Sequence, residues 1–195
     1  LTTTGGGNEG VGVLGVGAQH FANATAGTMT VAADTTDIHV TTGTGNNIGV
    51  GMLGVGAFNA RAACGAITAA AVNASIRATA GGAGSNRGVG LLGVGVESND
   101  ARATAQNMTV WAVNSVVDVA AAGSGNNGGV GIMGVGAHYN CQASAGNVTA
   151  VAVNTTIDVT TAGDGYIAGV GVVGFGGNNN VQVTAGGTTA VGVKT

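Results

Sequence analysis

The chain lacks proline altogether, and it has few charged residues (7%), few aromatic residues (3%) and only two cysteines. This is not the composition of an average globular domain. Disorder is nevertheless not expected, because disordered segments are rich in charge and poor in aliphatic residues. Here 45% of the residues are hydrophobic and the mean hydropathy is +0.39, so the small side chains, with 40 glycines among the residues, must pack in a regular way.

The shortage of charge also limits the partners of the chain. Eight acidic and five basic residues leave a net charge of −3, so we expect no general attraction to nucleic acid or to an anionic membrane. Glycines interrupt every apolar run before about 18 residues, so no membrane insertion is expected. The chain starts at Leu1 without a methionine or an export signal and stops at Lys194-Thr195 within a repeat, which suggests a piece of a longer protein.

What the chain does have is an internal repeat. The run Gly10-Val-Gly-Val-Leu-Gly-Val-Gly17 returns in related form from Gly49, Gly88, Gly129 and Gly169. Residues 1–195 are therefore a single repetitive region with units of about 40 residues. Each unit consists of two related halves, because residues 135–144 align with residues 151–160 without a gap.

Each half shows the pattern of two short strands. In the first strand, valine on one parity alternates with glycine or alanine on the other, and period two indicates β-structure. The second strand follows an apolar-polar-apolar-Thr pattern, as in Ile38-His-Val-Thr41, so it is expected to bury one face. Gly- and Asn-rich segments separate the units, and this places Asn47, Asn86 and Asn127 in predicted turns.

The repeat predicts an all-β fold, a β-solenoid. A short strand-turn-strand unit cannot bury its own apolar face, so equivalent units must stack on one another. The sequence leaves open whether one rung of the solenoid is a half unit or a full unit. We favour the half unit, because the two halves align without gaps.

The glycines of the first strand form a candidate assembly face. Either they point inward and let two sheets approach closely, which we favour, or they point outward and form a flat surface for another chain. The positions are Gly15, Gly17, Gly54, Gly56, Gly93, Gly95, Gly134, Gly136, Gly174 and Gly176.

Two polar columns of the second strand suggest binding functions. The first is a hydroxyl column, which favours a hydrogen-bonded ladder and, as an alternative, ice binding. Its members are Thr25, Thr41, Thr79, Thr104, Ser144, Thr160 and Thr184. The second column contains Arg61, Arg77 and Arg102, which would stack if the half unit were a rung, and such a row would suit an anionic glycan.

No catalytic, cofactor or metal site is predicted. Gly10-Val-Gly-Val-Leu-Gly15 matches the dinucleotide-binding fingerprint, but no helix follows it to hold a pyrophosphate. His20, His39 and His138 each lack a second ligand at the spacing of a metal site. Asp164 lies in a Gly-Asp-Gly loop of the kind that binds calcium in β-rolls, but the equivalent loops of the other units have no carboxylate in register. Cys64 and Cys141 occupy non-equivalent repeat positions, so free thiols are expected. No nucleophile and base are arranged for catalysis, so an enzyme is not expected.

The strings Thr149-Ala-Val-Ala-Val-Asn-Thr-Thr-Ile-Asp-Val159 and Val110-Trp-Ala-Val-Asn114, with the Gly-Val-Gly runs, resemble large bacterial surface proteins with β-strand repeats, the filamentous adhesins and haemagglutinin-like exoproteins. A weaker resemblance links the chain to curli-like functional amyloid repeats. The first resemblance implies a secreted or cell-surface β-solenoid rod that acts in adhesion or biofilm.

These observations together predict a structural or adhesive rod outside the cell. It would assemble with copies of itself, and its other expected partners are glycans of a host or neighbouring cell. The alternative is a binding module, for ice through the hydroxyl column or for an anionic glycan through the arginines.

Overall fold

The computed structural model describes residues 2–3, 8–13, 16–44, 47–52, 55–82, 86–91, 94–97, 101–124, 127–138, 141–164, 167–178 and 182–193. These residues form 23 strands, numbered β1 to β23 in chain order, and no helix. All pairs of neighbouring strands are parallel, and the strands lie in four sheets that the chain visits in a fixed order. The fold is a β-solenoid, as predicted.

The Gly-Val runs form sheet 1. Its strands are β2 (Asn8–Val13), β3 (Val16–Gln19), β7 (Asn47–Met52), β8 (Val55–Phe58), β12 (Asn86–Leu91), β13 (Val94–Glu97), β17 (Asn127–His138) and β21 (Ile167–Asn178). Sheet 2 follows in each unit, with β4 (Asn23–Ala26), β9 (Arg61–Cys64), β14 (Arg102–Ala105), β18 (Gln142–Ala145) and β22 (Gln182–Ala185).

Sheets 3 and 4 complete each unit. Sheet 3 contains β5 (Met29–Asp34), β10 (Ile67–Val72), β15 (Met108–Val113), β19 (Val148–Val153) and β23 (Thr188–Val193). Sheet 4 contains β1 (Thr2–Thr3), β6 (Asp37–Thr42), β11 (Ser75–Ala80), β16 (Val116–Ala121) and β20 (Thr156–Thr161). After sheet 4 the chain returns to sheet 1, one rung further along.

One rung is a full unit, and the half-unit rung that we favoured is wrong. Asn23 pairs with Arg61, and Arg61 pairs with Arg102, so each residue faces its equivalent in the next unit. The two halves of a unit lie in different sheets of the same rung. Their similarity reflects two strand-turn-strand segments of similar pattern, which do not pair with each other.

The core lies between the inner faces of the four sheets. The first part of sheet 1 packs against sheets 3 and 4, and its second part packs against sheet 2. The amphipathic pattern of the second strand is confirmed: Ile38 and Val40 are buried, whereas His39 between them is exposed. Alanine dominates the inner face of sheet 2, where Ala62, Ala103 and Ala143 are buried.

The asparagines expected in turns instead begin the strands of sheet 1. Asn47, Asn86 and Asn127 are buried and stack in register. Asn47 Nδ2 donates to Asn86 Oδ1 at 2.8 Å, and Asn86 Nδ2 donates to Asn127 Oδ1 at 2.8 Å. A primary amide carries both a donor and an acceptor, so identical residues in a parallel stack bond one another inside the core, while Asn47 Oδ1 has no hydrogen-bond partner among the described residues.

Asparagine does take the turn role elsewhere, at the bend from sheet 3 to sheet 4. Asn73 and Asn114 adopt φ of 49° and Asn154 adopts 47°, in the left-handed region that asparagine tolerates. Thr35 occupies the same place in the first rung, also at 49°, although β-branched residues are disfavoured there.

The glycine at the start of each Gly-Val run interrupts the alternation of sheet 1. Strand pairing skips Gly49 and Gly88, while the residues on both sides stay in register. A Cβ built on Gly51 would lie 2.7 Å from Ile48 Cγ2, so positions 48 and 51 share one face. The interruption therefore shifts the alternation of inward and outward side chains by one residue, and the side chain of Val50 lies in the core.

Candidate functional site

The outer faces of the sheets carry the chemistry, because equivalent residues stack there in columns about 4.8 Å apart. On sheet 2 one column is polar along its whole length and exposed. We call it the arginine column, and it consists of Asn23, Arg61, Arg102, Gln142 and Gln182.

The structure brings together two of the three arginines that the sequence grouped. Arg61 and Arg102 are direct neighbours on β9 and β14. Arg77 lies on sheet 4, where it stacks between His39 and Asp118. Its Nε donates to Asp118 Oδ2 at 2.9 Å in an exposed salt bridge. The predicted stack of three arginines is therefore wrong, since it depended on half-unit rungs.

Arg61 and Arg102 differ from Arg77 in the charges around them. Neither Arg61 nor Arg102 forms an ion pair with a described residue, and both side chains are exposed. Like charges directly opposite each other on neighbouring strands are unfavourable. The arginine column thus holds two cations without a counter-charge in the described part of the chain.

The corner between sheets 1 and 2 adjoins this column and carries exposed aromatic residues. Phe21 is 84% exposed and has φ of 63°, a left-handed conformation that is rare for a bulky residue. Its amide donates to the Asn59 carbonyl at 2.7 Å, and this bond ties the corner to the next rung. Phe58 is also exposed and makes an edge contact with His20, with 6.1 Å between ring centroids.

The candidate assembly glycines resolve into different environments. Gly17 is exposed and Gly56 is half-buried, next to buried Val55 and Ala57. The favoured inward orientation is therefore wrong at these two positions, which point outward, and the docking of another chain on this face stays a prediction. Gly95, Gly134, Gly136, Gly174 and Gly176 lie in sheet 1 strands. Gly15, Gly54 and Gly93 lie outside the described residues.

Sheets 1 and 4 approach each other closely at other glycines, the first one of each Gly-Val run. A Cβ on Gly10, Gly49, Gly88 or Gly129 would clash with a branched side chain of sheet 4. The alanines of the second half also point inward, as Ala69, Ala71, Ala150 and Ala152 are buried on sheet 3.

The hydroxyl column separates into two. Thr25, Thr104, Ser144 and Thr184 stand on sheet 2, and Thr41, Thr79 and Thr160 stand on sheet 4. Sequence reasoning missed an unbroken column on sheet 3, although threonine recurs there at unit spacing. It consists of Thr30, Thr68, Thr109, Thr149 and Thr189. Beside it, Trp111, Val151 and Val191 form part of an outward apolar column.

The residues considered for metal binding or redox chemistry stay apart. No three His, Cys, Asp or Glu side chains come together among the described residues. His20 lies at the corner of sheets 1 and 2, His39 on sheet 4, and Asp164 in the exposed segment after β20, while the side chain of His138 is outside the described part. Cys64 and Cys141 are buried and form no disulfide, as predicted. Burial raises the pKa of the Cys64 thiol.

Within the described ranges, no helix is both long and apolar enough to cross a membrane. No protein-family model, curated protein or solved structure matches the chain.

Proposed function

We propose that the chain is a structural rod segment of an extracellular filament or cell-surface adhesin, which lengthens by the stacking of rungs. Support comes from the fifth rung, in which residues at inward-facing positions are exposed to solvent. Ala150 and Ala152 of β19 are 0% and 3% exposed, whereas their partners Ala190 and Gly192 on β23 are exposed. A further rung on β23 would bury these positions as β23 buries those of β19.

Backbone hydrogen bonding favours the same arrangement. Among the described residues β23 pairs with β19 alone, so one edge of β23 has unpaired N–H and C=O groups within this part of the chain, and such an edge templates another strand. Such head-to-tail contacts do not close on themselves and produce open rods. Each rung contacts only its neighbours, so a rod of this kind keeps its structure at any length.

An inward charge on the open edge tests the proposal. We expect the chain to form concentration-dependent rods, seen by sedimentation and by negative-stain microscopy. Ala190→Lys should abolish them, because stacking would bury the ammonium group, while the isolated chain keeps it in water. Thr189→Lys is the matched control, since its side chain points outward before and after stacking.

The outcome that contradicts the proposal is equally clear. A chain that stays monomeric at high concentration, or rods that form equally well from both lysine variants, would show that the β23 edge does not mediate assembly.

A further inference from the structure

We propose that the arginine column binds a linear anionic polysaccharide, carboxylated or sulfated, which lies along the stacking direction of the rungs. The inference concerns the outer face of a single chain and does not depend on rod assembly. Arg61 and Arg102 would hold the anionic groups, and the neighbouring polar positions would contact the sugar hydroxyls.

Arg61 and Arg102 concentrate positive charge at two neighbouring positions of the column. Arg61 and Arg102 are in register on neighbouring strands, whose backbones lie about 4.8 Å apart. Both side chains are exposed, and neither pairs with a described carboxylate. A guanidinium presents its donors in a fork that fits the two oxygens of a carboxylate or a sulfate. An anion between the two side chains would therefore turn an unfavourable like-charge contact into two charge-assisted ones.

The residues that flank the two arginines are neutral and form hydrogen bonds. The other members of the column are the amides Asn23, Gln142 and Gln182, which donate and accept hydrogen bonds. Two positions further along four of the five strands, the hydroxyls of Thr25, Thr104, Ser144 and Thr184 form a parallel row, which Ala63 interrupts on the strand of Arg61. Neutral hydrogen-bonding groups around a small cationic centre suit a hydroxyl-rich polymer with widely spaced charges.

Other polyanions fit the arginine column less well. Nucleic acid affinity comes mainly from several cations on the phosphates, and this chain has two suitable arginines and a net charge of −3. An extended acidic peptide would be expected to add at a sheet edge, through main-chain hydrogen bonds, and this column lies on a sheet face. The five rungs of the column extend over roughly 19 Å, a length that several sugar units span.

The test compares arginines that differ in their partners. Binding of dextran sulfate and of polygalacturonate is measured by calorimetry at low salt and at ~150 mM salt. We expect at least one of them to bind, more weakly at high salt. Arg61→Gln and Arg102→Gln should each lower the affinity by about tenfold, the loss of one charge-assisted contact. Arg77→Gln is the matched control and should stay within about twofold, since Asp118 already neutralises Arg77.

The three substitutions are on exposed positions, and circular dichroism checks that each variant is folded. Preference for dextran sulfate or for polygalacturonate would identify the sulfate or the carboxylate as the anion. The proposal is overturned if neither polymer binds, if unsulfated dextran binds equally well, if Arg77→Gln weakens binding as much as Arg61→Gln, or if polyglutamate binds as tightly as the polysaccharides.

Discussion

Substitution of glycine by alanine is expected to have opposite effects on stability at two positions of sheet 1. Neither Gly49 nor Gly17 has φ in the left-handed region, so an alanine at either position meets no conformational barrier. Among the described residues, a Cβ on Gly17 has one atom within 4 Å, Gly56 O at 3.9 Å. A Cβ on Gly49 would clash with Ile76 Cγ2 and lie 2.7 Å from Gly88 O. Ile76 is buried, so neither it nor the next rung can move away freely.

The magnitudes follow from these contacts. Replacing glycine by alanine at an unstrained site stabilises a protein by about 0.4–1 kcal/mol through the unfolded chain, and we expect this gain for Gly17→Ala. Overpacking a close-packed core costs about 1–3 kcal/mol, so Gly49→Ala should be destabilising on balance. The two variants should then differ by about 2 kcal/mol, or roughly 4–8 °C in the thermal midpoint for a chain of this length.

Thermal unfolding followed by circular dichroism measures the difference. Ile76→Ala removes the clashing methyl group, so the double variant Gly49→Ala/Ile76→Ala should be less destabilised than the sum of the single variants, by about 1 kcal/mol. Equal midpoints for Gly17→Ala and Gly49→Ala, or strict additivity in the double variant, would refute the close approach of sheets 1 and 4 at this residue.

Three further properties are open to direct measurement. Asn86→Leu should destabilise the chain by roughly 2–5 kcal/mol in chemical denaturation, because two buried amides lose a partner, and a loss below about 1 kcal/mol would contradict the buried ladder. Thr35→Asn should raise the thermal midpoint, by relief of about 1 kcal/mol of left-handed strain that asparagine carries well at Asn73, and an unchanged midpoint would count against that strain. Cys64 and Cys141 should react with a thiol reagent far more slowly in the native chain than in denaturant, because both are buried and burial raises the pKa of Cys64, and fast native labelling would argue against this.

The repeat and the strand pattern could be predicted from the sequence, but the rung length could not. Period two identifies strands and does not say which copies pair. Turn length does not reveal it either, since in the second rung two residues join sheet 1 to sheet 2 and two residues join sheet 3 to sheet 4. The same alternating pattern also lies on opposite faces in the two halves, with Val55 in the core and Val151 half exposed, because a glycine interrupts the alternation of sheet 1 and none interrupts that of sheet 3.

The buried asparagine ladder shows a different limit. Asn47 and Asn73 look alike in a single sequence, since both follow or precede small and polar residues that favour turns. Only the structure distinguishes their roles. The Asn47 side chain donates a hydrogen bond to the amide of Asn86 in the next rung, whereas Asn73 bends the backbone. Asparagine recurs two residues before the first four Gly-Val runs, and this recurrence was the available signal, because a polar residue repeated in one column can bond its own copies.

Variation in unit length indicates where the solenoid differs from one rung to the next. The bend from sheet 2 to sheet 3 contains two residues in all five rungs, and the bend from sheet 3 to sheet 4 contains two in the four places where the structure describes it, so both keep the strands in register. The corner from sheet 1 to sheet 2 contains three, two, four, three and three residues in successive rungs. Loops that vary in length while a rigid scaffold holds their ends are where binding residues concentrate. This corner presents Phe21 and Phe58 and leads directly into the arginine column, so the least regular edge of the solenoid is also its most chemically varied one.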